Sequence, residues 1–203
     1  MDPRKQKTMD ALLKAAERMI AEQRSADVTV DEIAEDAGVA VGSIYNHFGS
    51  KSGLFAAAID RALGTDAEYM DRAYTPDRSP LEQVIAAGEE YVRFYFDHPT
   101  FFRMLAFPPD PGQYAAGQEV AERMGQRVAE QNSRLTAAIQ RAIDEGIVRP
   151  MDAEKVTTML WAALNGIMSL AWRPDSMRKT ESELRELIAT VYDIYALGLL
   201  PRD

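Results

Sequence analysis

Apolar residues recur at three- and four-residue intervals through most of the chain, the period of a helix with one buried side. Met9, Leu12, Leu13, Ala16, Met19 and Ile20 predict a first helix over residues 7–23. Thr29 and Glu32 have the spacing of a capping box, so a second helix starts at Val30 with Ile33, Ala34 and Ala37 on its apolar side. Gly38 ends it, where a residue of positive φ is wanted. A third, short helix spans residues 41–48, with Ile44 and Phe48 inward. A fourth runs from residue 50 or 51 to about 72 and begins with Leu54, Phe55, Ala58, Ile59 and Leu63. Residues 75–80, TPDRSP, break the pattern, and Pro80 suits the first turn of a fifth helix to about residue 97. Residues 99–106 read as a sixth helix, residues 107–113 as a loop, and residues 116–145 as a long seventh with Val120, Met124, Val128, Leu135, Ile139 and Ile143 inward and Gly146 as its stop. An eighth helix over residues 153–172 is capped by Asp152, and a ninth over residues 181–199 carries Leu184, Leu187, Ile188, Val191 and Tyr195 in phase. No stretch alternates as a strand does, so the expected fold is all-α with about nine helices.

Residues 29–51 carry the most specific pattern. Two short helices joined by a tight turn containing Gly38 form a helix-turn-helix, and the small Ala34 lets the second helix cross closely. Opposite Ile44 and Phe48, that second helix presents Gly42, Ser43 and Asn46, with Tyr45 and His47 on the flanks. Short polar side chains suit base edges in a major groove, while a phenol and an imidazole suit phosphate oxygens. Ser50 can cap the next helix and Lys51 places a cation beside that cap, a natural phosphate site. Thr29, Gly42, Ser43, Tyr45, Asn46, His47 and Lys51 are therefore the candidate DNA-contacting residues. A helical hairpin with no DNA role, and His47 as an ordinary surface imidazole, are the plainer alternatives.

The run AEDAGVAVGSIYNHFGSKSGLF at residues 34–55 resembles the DNA-binding domain of TetR-type transcriptional regulators, and the likeness extends over residues 4–63. It rests on the turn glycine, the Ser-Ile-Tyr-x-His-Phe end of the second helix and the Ser-Lys that follows. Asn46 stands where the family often has a second Tyr, which bears on operator sequence. Gly53 stands where an acidic residue is common early in the next helix, which bears on the strength of the cap. The resemblance implies an N-terminal three-helix DNA-binding domain over residues 1–53. It also implies a larger C-terminal ligand-binding and dimerisation domain over residues 54–203. The function implied is repression at a palindromic operator in double-stranded DNA, relieved by a small-molecule inducer. The competing non-enzyme class is a helical ligand-binding or interaction protein without DNA binding.

Composition narrows this picture. With 203 residues, 46% of them hydrophobic, the chain can bury a sizeable core. A net charge of −9 argues against a non-specific nucleic-acid binder but leaves a local basic patch possible. Arg4, Lys5, Lys7 and Lys51 could supply one, the first three either as a DNA-contacting arm or as a solvated terminus. Cysteine is absent, which fits a reducing cytoplasm. No signal peptide is expected, and the longest apolar run, residues 159–171, is too short for a bilayer and contains Asn165. Only His47 and His98 could serve as imidazole ligands or bases, and no phosphate loop or nucleophile elbow is present. Carboxylate pairs such as Glu89-Glu90 read as solvated helix faces. No cofactor, metal or enzymatic activity is expected.

The eighth helix has two apolar faces. Trp161, Asn165, Met168 and Trp172 share one, and Ala162, Gly166 and Ser169 form a small-residue stripe on another. With the ninth helix this predicts a four-helix homodimer interface, unless both faces serve a monomeric core. The stretch Trp161-Ala-Ala-Leu-Asn165-Gly166 resembles a Trp-x-x-x-His-Gly motif of one TetR subgroup, with Asn165 in the His place. Tyr95, Phe102, Phe107, Met124, Trp161, Asn165 and Trp172 are candidates to line a pocket for an apolar or aromatic ligand, against the alternative of plain core packing.

Overall fold

The computed structural model describes residues 2–22, 24–25, 27–107 and 118–199, with only the backbone for residues 119 and 120. The expected helix end at Gln23, the loop at residues 108–113, the helix start at residue 116 and the inward side chain of Val120 lie outside the described residues. Among the described residues there is no strand, and nine α-helices follow one another. They are α1 (Pro3–Ala21), α2 (Val30–Ala37), α3 (Gly42–Phe48), α4 (Lys51–Ala73) and α5 (Pro80–Asp97). Then come α6 (Pro99–Ala106), α7 (Gln118–Asp144), α8 (Ala153–Ser169) and α9 (Glu181–Leu199).

Local chemistry explains most boundaries. Thr29 and Glu32 form the expected capping box at α2: the Thr29 hydroxyl accepts from the Glu32 N–H, and the Thr29 N–H donates to the Glu32 carboxylate at 2.7 Å. Ser79 with Glu82 and Thr180 with Glu183 repeat the device at the starts of α5 and α9. Gly38, at φ 66°, ends α2: its N–H reaches Glu35 O at 3.0 Å, and the Val39 N–H reaches Ala34 O at 3.0 Å. Gly146, at φ 72°, ends α7 with the same pair of bonds, to Ile143 and Ala142.

Two boundaries differ from the pattern-based expectation. α1 begins at Pro3, four residues early, because Asp2 accepts the Arg4 N–H at 2.9 Å and Pro3 supplies a preset φ with no N–H to satisfy. Arg4, Lys5 and Lys7 therefore stand on the first turns of a helix and do not form an extended arm. α8 ends at Ser169, and Leu170–Trp172 tightens into a single 3-10 turn. The Ser169 hydroxyl donates to Gly166 O at 2.7 Å, and Arg173 is extended ahead of Pro174, which disfavours helix at the preceding residue.

The chain forms two compact units. The first comprises Met1–Glu68 and Phe94–Val128. Its core joins Leu12, Ala16, Ile33, Ile44, Leu54, Phe55 and Ala58, all at most 1% exposed for the larger side chains, with Met104 and Met124. In it α1 packs on α2, α3 and α6, and α2 on α3. Arg61 of α4 crosses to α1, donating to Glu17 at 2.7 Å and to Asp10 at 3.4 Å. Burial pushes the Glu17 carboxyl up against the opposing pull of the Arg61 guanidinium. The second unit comprises Tyr69–Arg93 and Ala129–Asp203. There α8 packs on α9, and Ile139, Ala153 and Val156 gather Val84, Leu135, Ile143, Leu160 and Leu199. Arg149 ties the end of α9 by bonds to Gly198 O and Leu199 O.

Candidate nucleic-acid interface

The candidate reading surface is built on very little buried material. α3 has seven residues, and Ile44 is its one fully buried side chain. Phe48 is half-buried and packs on the same core. With those two turned inward, Gly42 and Asn46 are exposed and Tyr45 is 52% exposed. An exposed tyrosine one residue from a fully buried isoleucine shows the phase of the helix directly. Ser43 is half-buried and its N–H bonds Ala40 O at 2.9 Å.

His47 is also half-buried. Its ring meets Phe48 edge-on at 6.3 Å, and its Nδ1 is buried without a hydrogen-bond partner. Thr29 is exposed at the α2 cap, with its hydroxyl donating to Glu32 at 2.8 Å. Lys51 opens α4, but its ammonium turns back to donate to the carbonyl of Val28, with the Phe55 ring 5.8 Å away. That bond fastens the start of α4 to the residue before the α2 cap. The structure thus places all seven candidate residues in the first unit, at the α2 cap, on α3 and at the first residue of α4.

The candidate ligand side chains fall into two groups. Tyr95, Phe102, Phe107 and Met124 belong to the first unit. Tyr95 meets Phe102 edge-on at 5.1 Å, Phe107 lies 6.4 Å from Phe102, and Met124 is buried. Trp161, Asn165 and Trp172 belong to the second unit, the two indoles half-buried and Asn165 6% exposed. Asn165 accepts a hydrogen bond from the Tyr91 hydroxyl at 2.7 Å. The Tyr91 contact was not among the expected site residues. Its signal was present, because an Asn inside an apolar helix needs a polar partner.

Among the described residues no group of His, Asp and Glu could hold a metal ion, and no helix is long and apolar enough to cross a membrane.

Residues 12–58 match the family model described as bacterial regulatory proteins, tetR family. Residues 84–191, over half of the chain, match the Tetracyclin repressor-like C-terminal domain. The chain is 31% identical over 101 residues to the uncharacterized HTH-type transcriptional regulator YerO of Bacillus subtilis strain 168, covering 47% of this chain and 34% of that protein. The chain spans less than half the length of the curated relatives it matches. The fold matches the ketosteroid transcriptional regulator KstR2 of Mycobacterium tuberculosis with a TM-score of 0.76 at 21% identity, over 100% of this chain and 97% of that one. It also matches AibR, solved with isovaleryl coenzyme A and operator DNA, with a TM-score of 0.75 at 17% identity, over 97% of this chain and 100% of that one. With both of its halves matched by models of one family, the chain belongs to the tetR family of bacterial regulatory proteins.

Proposed function

We propose that this chain is a sequence-specific DNA-binding transcriptional regulator, a repressor that leaves a palindromic operator when a small molecule binds. The observation that supports it best is the outward face of α3, with Tyr45, Asn46 and Gly42 exposed opposite the fully buried Ile44. In this reading residues 1–53 bind DNA and residues 54–203 bind ligand and dimerise. Asn46 reads a base edge, because a planar amide can donate and accept at once. Tyr45, His47, Thr29 and Lys51 hold phosphates, and Gly42 and Ser43 let the backbone come close.

The homodimer forms through α8 and α9. Met159, Ile194 and Leu197 are 52%, 60% and 75% exposed, a cost in water that a second copy would remove. The exposed Ala162 and Gly166 leave room for a close helix crossing. The Trp161 to Gly166 stretch supports placing the chain near the Trp-x-x-x-His-Gly subgroup, with Asn165 doing what its bond to Tyr91 allows. The inducer is an apolar or aromatic compound, a reading supported by the ring cluster of Tyr95, Phe102 and Phe107. That another protein of this fold was solved with both an acyl coenzyme A and operator DNA supports one fold carrying both kinds of partner. The compartment is the cytoplasm, where such an operator would lie.

The mechanism is a change of spacing. A two-fold dimer reads two half-sites only when its recognition helices stand about 34 Å apart. α4 begins next to α3 and continues for 23 residues, so a ligand that displaces it changes that spacing. Ligand and operator then bind different states, and each lowers the affinity for the other by the same factor.

The test is selection of binding sites from a random DNA pool, followed by titration of the selected site at several salt concentrations. Asn46→Ala should relax preference at one base position, costing about 1–3 kcal/mol there. Lys51→Met should weaken binding to all sequences and flatten the salt slope by about one. A chain that enriches no sequence, or variants that bind every DNA as the wild type does, would sink the proposal.

A further inference from the structure

We infer that Gly53 is a positioning residue for base recognition: it fixes where α3 stands by letting the end of α3 rest on the first turn of α4. The inference rests on α3 being the helix that reads bases.

A glycine here has two ordinary explanations, a left-handed backbone or a weak helix start. The first does not apply, because the left-handed glycines among the described residues are Gly38, Gly49 and Gly146, and Gly53 is not one of them. The second ignores the space around it. A methyl carbon at residue 53 would stand 2.2 Å from the carbonyl oxygen of Phe48 and 3.3 Å from both its carbonyl carbon and the Ser50 Oγ. A carbon and an oxygen in ordinary contact need roughly 1 Å more than that shortest distance. Gly42, on α3, and Gly64, further along α4, have nothing within 4 Å of the same position. The close approach therefore belongs to Gly53 alone among these three.

Both sides of the contact are held. The clashing atom is main chain, at the last residue of α3. Gly49 follows it at φ 75°, with its N–H on Tyr45 O at 3.0 Å. On the other side the Gly53 N–H donates to the Ser50 Oγ at 2.9 Å, and the Leu54 N–H to Ser50 O at 3.1 Å. The burial decides which side would yield. α4 drives Leu54, Phe55, Ala58, Ile59 and Ala62 into the core, all at most 1% exposed, whereas α3 has only Ile44 fully buried. A side chain at residue 53 would thus displace α3 and leave α4 in place. Hydrogen bonds to base edges are lost over such a shift, while contacts to the sequence-independent phosphate backbone tolerate it better. So the size of residue 53 sets the register in which Asn46 and its neighbours meet the bases.

The experiment compares the full-length wild type with Gly53→Ala, Ser50→Ala and Gly64→Ala, using the DNA site enriched by the wild type and its single-base variants. The readout is discrimination, the ratio of affinities for the selected and altered sites, together with melting temperature. Gly53→Ala should lose about tenfold in discrimination while keeping non-specific DNA binding. Ser50→Ala, which frees the Gly53 N–H without adding bulk, should weaken discrimination at the same base positions. Gly64→Ala should melt higher and discriminate as the wild type does. If Gly53→Ala folds and keeps the wild-type preference, the inference is overturned whatever its melting temperature. Should Gly53→Ala fail to fold, Ser50→Ala decides alone, and unchanged discrimination in it overturns the inference. A wild type that enriches no sequence defeats the reading of α3 first, an outcome distinct from a wild type and variants that share one preference.

Discussion

The hydroxyl of Tyr91 on α5 donates to the side-chain oxygen of Asn165 on α8 at 2.7 Å, where Asn165 is only 6% exposed. Around it α8 is apolar, with Leu164 and Met168 buried beside it. The bond satisfies a side chain that would otherwise be costly in that helix, and it joins two helices 74 residues apart in sequence. Removing the Tyr91 hydroxyl takes this donor from the buried Asn165 oxygen, and replacing Asn165 takes the same acceptor from the half-buried Tyr91. Tyr91→Phe and Asn165→Leu should each cost about 1–3 kcal/mol in urea unfolding. The double variant should cost less than the sum, because each single change already removes the same bond. Additive effects would show that the two groups do not share it.

The Glu17–Arg61 pair should behave differently with pH. Arg61→Leu leaves a buried carboxylate without its cation and should cost about 2–3 kcal/mol at neutral pH. Burial already holds the Glu17 carboxyl above its ordinary value of 4.5, and loss of Arg61 raises it further. A group raised in the folded state takes up its proton there first, so stability falls as pH rises through the raised value. The deficit of Arg61→Leu should therefore shrink on going from pH 8 to pH 5. A deficit that stays constant over that range would mean Glu17 is not the group left stranded.

Glu183 has the opposite sign. The backbone N–H of Thr180, then the Lys179 ammonium and the Thr180 hydroxyl, hold its carboxyl at about 2, below the ordinary 4.5. A depressed carboxyl contributes stability that is present above its unfolded value and lost as pH falls through the folded one. Acid should therefore destabilise the start of α9 between about pH 4.5 and 2, and Glu183→Gln should flatten that part of the curve. The check is helicity against pH for both proteins. Identical curves would show that the cap contributes nothing to the acid limb.

The helix-turn-helix is legible in the sequence because its signals are local. Thr29 and Glu32 are three residues apart, Gly38 takes the one backbone conformation that marks it, and Ile44 with Phe48 shows the phase of α3. The capping boxes at Ser79 and Thr180 have the same spacing and were equally available. The early start of α1 has a local signal too, in Asp2-Pro3, but the apolar periodicity begins only at Met9, because the first turns of α1 carry polar side chains. Other features are not local. Arg61 finds Glu17 across 44 residues, and Met104 and Met124 complete the core of residues 12–59 from far along the chain. The demand on Gly53 is a matter of space and exists only once α3 and α4 have met. Lys51 shows a further limit: a cation next to a helix cap suggests phosphate, yet a flexible side chain also reaches the nearby carbonyl of Val28.

The dimer reading makes the cleanest prediction, because Gly166 can be changed without disturbing the chain that carries it. A methyl group at residue 166 would meet nothing within 4 Å, so a larger side chain has room in the single chain. Leucine is also the better helix former, by about 1 kcal/mol in a helix interior. Gly166→Leu should therefore fold at least as stably as the wild type when monomeric. In a dimer through α8 and α9, the same side chain would fall where two helices cross closely, and it would hold them apart. Sedimentation of the wild type should show a dimer at micromolar concentration and Gly166→Leu a monomer with unchanged helicity. Ile194→Glu, at a position 60% exposed in the single chain, should do the same by placing a charge in an apolar interface. If both variants sediment as intact dimers, α8 and α9 are not the interface. If the wild type is itself a monomer, the spacing mechanism loses the two-fold arrangement on which it depends.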